Sequence, residues 1–104
     1  MPNTPSRPKQ IRSTKIVATL GPASDERIEQ LVISGVDAFR LNFSHGSHAQ
    51  HLARIKRIRE VAAKLNSFVA IIADLRGPKI RIGSFVDNKD VHLAEGASFT
   101  IDTE

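Results

Sequence analysis

Arg40, Asn42 and Ser44 alternate with Phe39, Leu41 and Phe43 in the stretch DAFRLNFSHGS, residues 37–47. On a strand this puts a guanidinium, an amide and a hydroxyl on one face and apolar bulk on the other. The strand then breaks into Ser-His-Gly. Further along, Asp74 closes an apolar run, and Arg76, Lys79 and Arg81 follow it. Amide, hydroxyl and carboxylate oxygens suit a hard cation rather than zinc. Guanidinium forks suit phosphate or carboxylate. Gly46-Ser47, where a helix is expected to begin, offers backbone N–H groups to an anion.

Each feature has a plainer reading beside the chemical one. The alternation in FRLNFS also suits an edge strand with a wet face. Asp74 can simply cap the next element, and Lys79 and Arg81 can be solvated charges on a hairpin. A site is favoured by coincidence, because polar groups of complementary chemistry fall together at strand ends. His45, His48 and His51 form H-x-x-H-x-x-H. That spacing can set two imidazoles on one helix face, but no fourth ligand of suitable type is placed to close a zinc site.

The elements that would position these groups follow from hydrophobic periodicity. KIVATL, residues 15–20, is short, apolar and β-branched, with Gly21-Pro22 after it, and predicts a buried strand. Ser24 is a suitable N-cap, and Asp25 and Glu26 complement the dipole of the helix expected next, which Gly35 ends. Residues 38–43 form the second strand. From Ser47 to about Leu65, the residues Leu52, Ile55, Ile58, Val61, Ala62 and Leu65 make an apolar stripe with Arg54, Arg57 and Lys64 off it. SFVAIIAD, residues 67–74, is nearly continuous apolar and predicts a strand buried on both faces. Strand–helix–strand–helix–strand at this pitch argues for parallel strands in an α/β protein. Thr19, Ser44 and Asp74 then lie at one rim, the C-terminal ends of the strands, where such folds build their sites.

After Asp74 the pattern turns to scattered glycines and period-two alternation, which predicts β-type structure and a module boundary near residues 75–80. A three-stranded sheet is too small to close a barrel, so the sequence reads as the beginning of something larger. With no cysteine, there is neither a disulfide scaffold nor thiolate chemistry, which suits a cytosolic protein. No apolar run approaches the ~20 residues of a membrane span. The net charge of +4 comes from the Pro-rich N-terminus, where residues 1–14 read as a flexible basic tail; Arg7, Lys9, Arg12 and Lys15 face no acid before Asp25. The other 11 bases are matched by 11 acids, which argues against a nucleic-acid partner.

Three stretches, TKIVATLGPAS, RLNFSHGS and DLRGPKIRIG, resemble in order and spacing the opening of pyruvate kinases. The resemblance covers nearly the whole chain apart from the tail. It implies the first βαβαβ part of a (β/α)8 TIM barrel over residues 15–75, then the beginning of an inserted small β-barrel lid domain over residues 76–104. It implies phosphoryl transfer from phosphoenolpyruvate to ADP, giving pyruvate and ATP, with magnesium and usually potassium. By motif, Arg40 resembles the residue that holds the substrate phosphoryl group. Asn42, Ser44, Asp74 and the Leu75 carbonyl resemble the potassium ligands. Asn42, Phe43, Ser44, His45 and Arg81 resemble the nucleotide contacts. The magnesium carboxylates and catalytic lysine of the family fall beyond residue 104, so no catalytic residue is expected within this segment. Alone, the segment is expected to be inactive and, with an unpaired strand edge and helices lacking further barrel elements, only marginally folded. The resemblance also implies a cytoplasmic homotetramer for the full-length protein.

Lys79 departs from many members, which carry glutamate at x in GP-x-IR. It is either a solvated charge or a built-in substitute for the monovalent cation, in which case potassium is dispensable. The competing functional class is a non-catalytic phosphate-binding or interaction module on the same βαβαβ scaffold. A native chain ending near Glu104 would favour that class; several hundred further residues of strand–helix alternation would favour the enzyme.

Overall fold

In the computed structural model, residues 12–102 are described. Residues 1–11, most of the expected basic tail, lie outside them. Arg12, assigned to that tail by composition, is instead tied to the fold: its guanidinium donates to the Gly35 carbonyl and, at 3.3 Å, to the Asp37 carboxylate.

Three parallel strands make one sheet, β1 (Val17–Leu20), β2 (Ala38–Asn42) and β3 (Ala70–Asp74), in the order β1-β2-β3. Helices α1 (Ile28–Ser34) and α2 (His48–Lys64) connect them. Gly35 stops α1 in the left-handed region at φ 111, where its N–H bonds the Leu31 and Val32 carbonyls. A glycine is needed there because a side chain would be strained in that region. Ser24 does not cap α1. Its hydroxyl closes the Gly21 turn by donating to the Gly21 carbonyl at 3.1 Å, and a 3-10 turn at Asp25–Arg27 precedes the helix.

Phe39 and Leu41 on β2 are fully buried against Ile28 and Val32 of α1 and Ile58 and Val61 of α2. Arg40 and Asn42, one residue out of step, lie on the opposite face. That face is bare. Val17 is 52% exposed and Ile72 42%, so the expectation that β1 and β3 are buried strands is corrected. The apolar residues of the two helices cover one face of the sheet, and β1 and β3 each have a strand partner on one side only.

The stripe on α2 also differs from its expectation. Leu52 is half exposed, while His51 and Arg54 are buried with Ile58, Val61, Ala62 and Leu65. The spacing 51-54-58-61-65 keeps one helical face, whereas Leu52 lies about 100° from His51. Arg54 is tolerated there because its Nε and Nη2 reach both Asp25 carboxylate oxygens at 2.6 and 2.9 Å. Those hydrogen bonds hold the guanidinium above its ordinary pKa, against the opposing effect of burial. The pair clamps the loop after β1 to α2.

Beyond Asp74 the expected strands do not form. Among the described residues 75–102 the only regular element is a 3-10 turn at Val86–Asn88, and every residue from 72 to 102 is exposed. A lone strand has no partner for its N–H and C=O groups, so period-two alternation alone does not make a sheet.

Candidate functional site at the strand ends

Parallel register aligns Thr19 with Arg40 and Asn42 with Asp74. Arg40 Nη1 donates to Thr19 Oγ1 at 3.2 Å, its Nε donates to Asp74 Oδ2 at 3.0 Å, and its Nη2 reaches the same oxygen. The guanidinium is thus braced from both neighbouring strands. It remains about one-third exposed, with donors left for an anion. Asp74 was expected to converge with Arg40 and does so. Thr19 was expected at the rim; its role as a brace was not foreseen. The signal was available in the register, since a residue on a central strand faces the neighbours of both edges.

Past β2 the chain folds into a compact loop. Asn42 Oδ1 accepts from the Ser44 N–H at 3.0 Å, and the His45 N–H donates to the Asn42 carbonyl at 3.2 Å. The Phe43 N–H donates to the Asp74 carbonyl at 3.0 Å, fastening this loop to the end of β3. Ser47 then starts α2 with a reciprocal cap: its hydroxyl accepts from the Gln50 N–H, and the Gln50 side chain accepts from the Ser47 N–H.

Lys79 comes back to this loop from the exposed arm. Its Nζ donates to Ser44 Oγ at 2.6 Å. Around that contact lies a cavity of about 570 Å³ lined by Ser44, His45, Arg76, Gly77, Pro78, Lys79 and Arg81. Three cations and no carboxylate face it, which is the lining a polyanion requires. Arg81 and His45 are therefore brought together with Ser44. Leu75 is exposed at the root of the arm, and Arg40 and Asn42 do not line this cavity. A smaller cavity of about 230 Å³ between α1 and α2 contains the Asp25–Arg54 pair and shares no lining residue with the first.

The three histidines do not gather around a metal. His45 and His48 are exposed, whereas His51 is buried and stacked on Phe43 with centroids 4.4 Å apart. No group of three or more His, Cys, Asp or Glu side chains among the described residues is placed to hold a metal ion. No helix among them is long and apolar enough to cross a membrane.

Comparison with known proteins matches residues 11–104 to the family model "Pyruvate kinase, barrel domain". The chain is 52% identical over 93 residues to pyruvate kinase 2 of Synechocystis sp., covering 86% of this chain and 16% of that protein. It is 43% identical over 98 residues to a pyruvate kinase of Haemophilus influenzae, covering 92% and 20%. To pyruvate kinase II of Salmonella typhimurium it is 47% identical over 96 residues, covering 90% and 20%. The chain thus spans a fifth or less of the length of these curated relatives.

Proposed function

Because the chain belongs to the pyruvate kinase family, we propose that the full-length protein transfers the phosphoryl group of phosphoenolpyruvate to ADP. The bond from phosphorus to the enol oxygen breaks, a bond to a terminal oxygen of ADP forms, and the enolate takes up a proton to give pyruvate. Such transfer needs positioning and fixed positive charge more than covalent help. The observation that carries the reading is the cavity at the strand ends, which Arg76, Lys79 and Arg81 line with no carboxylate. Arg40 holds the transferring phosphoryl group with its exposed donors, while Thr19 and Asp74 keep the fork oriented. Asn42, Phe43, Ser44, His45 and Arg81 make up the nucleotide side. Residues 15–75 begin the TIM barrel, and residues 76–104 begin the lid.

The described residues do not fit a magnesium site, since no three His, Cys, Asp or Glu side chains among them are grouped to hold a metal ion and Arg40 engages Asp74. Magnesium, which neutralises phosphate charge when bound, takes its ligands from later parts of the protein. The potassium set is a closer case. Asn42, Ser44, Asp74 and the Leu75 carbonyl supply oxygen donors of the right kind. Two of the four already face protein cations, Asp74 from Arg40 and Ser44 from Lys79. A potassium ion would meet like charges at short range. Lys79 therefore stands in for the monovalent cation, and the enzyme works without potassium. A cytoplasmic homotetramer completes the reading.

The test is pyruvate formation from phosphoenolpyruvate and ADP by the full-length protein with magnesium, in potassium-free buffer balanced with tetramethylammonium. Turnover unchanged by added potassium is expected. No pyruvate under either condition would sink the enzymatic reading. Activity that appears only with potassium would sink the role of Lys79 alone.

A further inference from the structure

His51 is 3% exposed and three residues into α2, and the phosphoryl-transfer chemistry makes no use of it. Its ring stacks on Phe43, nearly parallel at 18°. Its Nε2 lies 2.7 Å from the His45 carbonyl oxygen. A carbonyl oxygen only accepts, so Nε2 carries the proton. Nδ1 is buried with no hydrogen-bond partner, which suits a bare lone pair better than a second N–H. An aliphatic side chain would fill this place without leaving a buried nitrogen unpaired. Histidine brings a flat ring for Phe43 and a donor for His45.

Both contacts fall on the loop of residues 42–47. Its start is fixed by the Asn42 turn and its end by the Ser47 cap, while the His51 side chain reaches its middle from the helix. Gly46 shows how close that approach is. At φ +78, a Cβ there would lie 3.1 Å from Gln50 Oε1 and 3.3 Å from His51 Nε2. The loop is therefore pressed onto α2 with its carbonyl edge on the imidazole and its Ser44 side facing the cation-lined cavity.

We infer that His51 is a positioning residue that fixes the loop carrying Asn42, Phe43, Ser44 and His45, and thereby sets affinity for the nucleoside diphosphate. This rests on the assignment of that loop to the nucleotide side. Arg40 has separate braces on Thr19 and Asp74, so binding of phosphoenolpyruvate should be largely spared.

The experiment uses the full-length protein, with ADP affinity read by calorimetry and KM for each substrate by steady-state kinetics. His51→Phe keeps a ring for the stack and removes the donor. ADP Kd and KM should rise roughly tenfold, the size of one lost internal hydrogen bond. KM for phosphoenolpyruvate should stay within about twofold, as Arg40 keeps its own partners. His51→Gln, whose amide N–H extends about as far as Nε2, should bring ADP affinity back to within about threefold of the unaltered protein. Unchanged ADP binding in His51→Phe overturns the inference, and so does parallel weakening of both substrates together with a lowered Tm. Should His51→Phe not fold, His51→Gln and the shorter His51→Asn decide: equal ADP affinity in the two overturns it, and weaker binding by Asn alone supports it. Failure of the unaltered protein to bind ADP overturns the inference and the site assignment together. ADP binding without pyruvate formation overturns only the catalytic reading.

Discussion

Ile58 and Ile80 are the same side chain in two regions of one chain, the first fully buried in the core and the second fully exposed on the arm. The βαβαβ region satisfies itself locally apart from its two outer strand edges and one open sheet face. Its helices complete their backbone hydrogen bonds within one segment, and their apolar faces meet the sheet formed by the strands on either side. The arm carries as regular a hydrophobic pattern, but strands must find partners elsewhere. The difference extends to charge. Arg40 in the first region is held by side chains of two neighbouring strands, whereas Lys79 in the second has a single contact, with Ser44.

If the sheet supplies fixed charge and the arm supplies adjustable charge, equivalent substitutions in the two should differ in cost. Arg40→Lys in the full-length protein replaces a braced fork by a single ammonium, and kcat/KM for phosphoenolpyruvate should fall about 10²–10³-fold. Arg81→Lys, on the arm, should cost about tenfold or less, because a flexible cation is replaced by another. Steady-state kinetics of both variants checks this. Equal losses would break the division between the two regions.

Packing gives the next largest contrast. Ile58→Ala removes a fully buried side chain from the centre of α2. It should destabilise the 104-residue segment by about 3 kcal/mol, through lost transfer energy plus the cavity left behind. Because whole domains are stable by only about 5–15 kcal/mol, the urea midpoint of the helical circular-dichroism signal should fall sharply. A midpoint within error of the unaltered segment would mean that the core between α2 and the sheet is not packed in solution.

Much of the first region was legible in the sequence, and for identifiable reasons. Gly21-Pro22 and Gly35 punctuate the chain, and the period changes from two to about 3.6 at Ser47, so the order and parallel sense of β1, β2 and β3 follow from the pattern. Parallel strands then bring Thr19, Arg40, Asn42 and Asp74 to one rim. The phase of α2 was not legible, because a scan for apolar residues passes over a buried histidine and arginine and accepts Leu52 in their place. His51 is buried against Phe43, on the loop just before the helix, and Arg54 against Asp25, 29 residues away, and neither meeting shows in the spacing of apolar residues along α2. Periodicity also does not report what covers a face. It marked residues 67–74 as buried on both sides, and only one side of β3 has helices against it. The pairing of Lys79 with Ser44 bridges 35 residues and depends on the path of an arm with almost no regular structure, which no local pattern encodes.

The smallest effect is the most telling about the arm. Ile80→Ala in the 104-residue segment deletes a side chain that touches no core, so its urea midpoint should match that of the unaltered segment. Ile82, two residues on and 64% exposed, belongs to the same alternating run. Alternation of this kind is expected of a strand with one face on a core. If residues 76–104 begin a β lid in the full-length protein, Ile80 gains that core there. The same substitution should then shift the full-length protein's unfolding midpoint while leaving the segment untouched. A segment that loses stability on Ile80→Ala would show that the arm already packs on the βαβαβ region, and the contrast with Ile58 would fail. A full-length protein as indifferent as the segment would leave Ile80 at the surface in both settings and count against a lid built on this run.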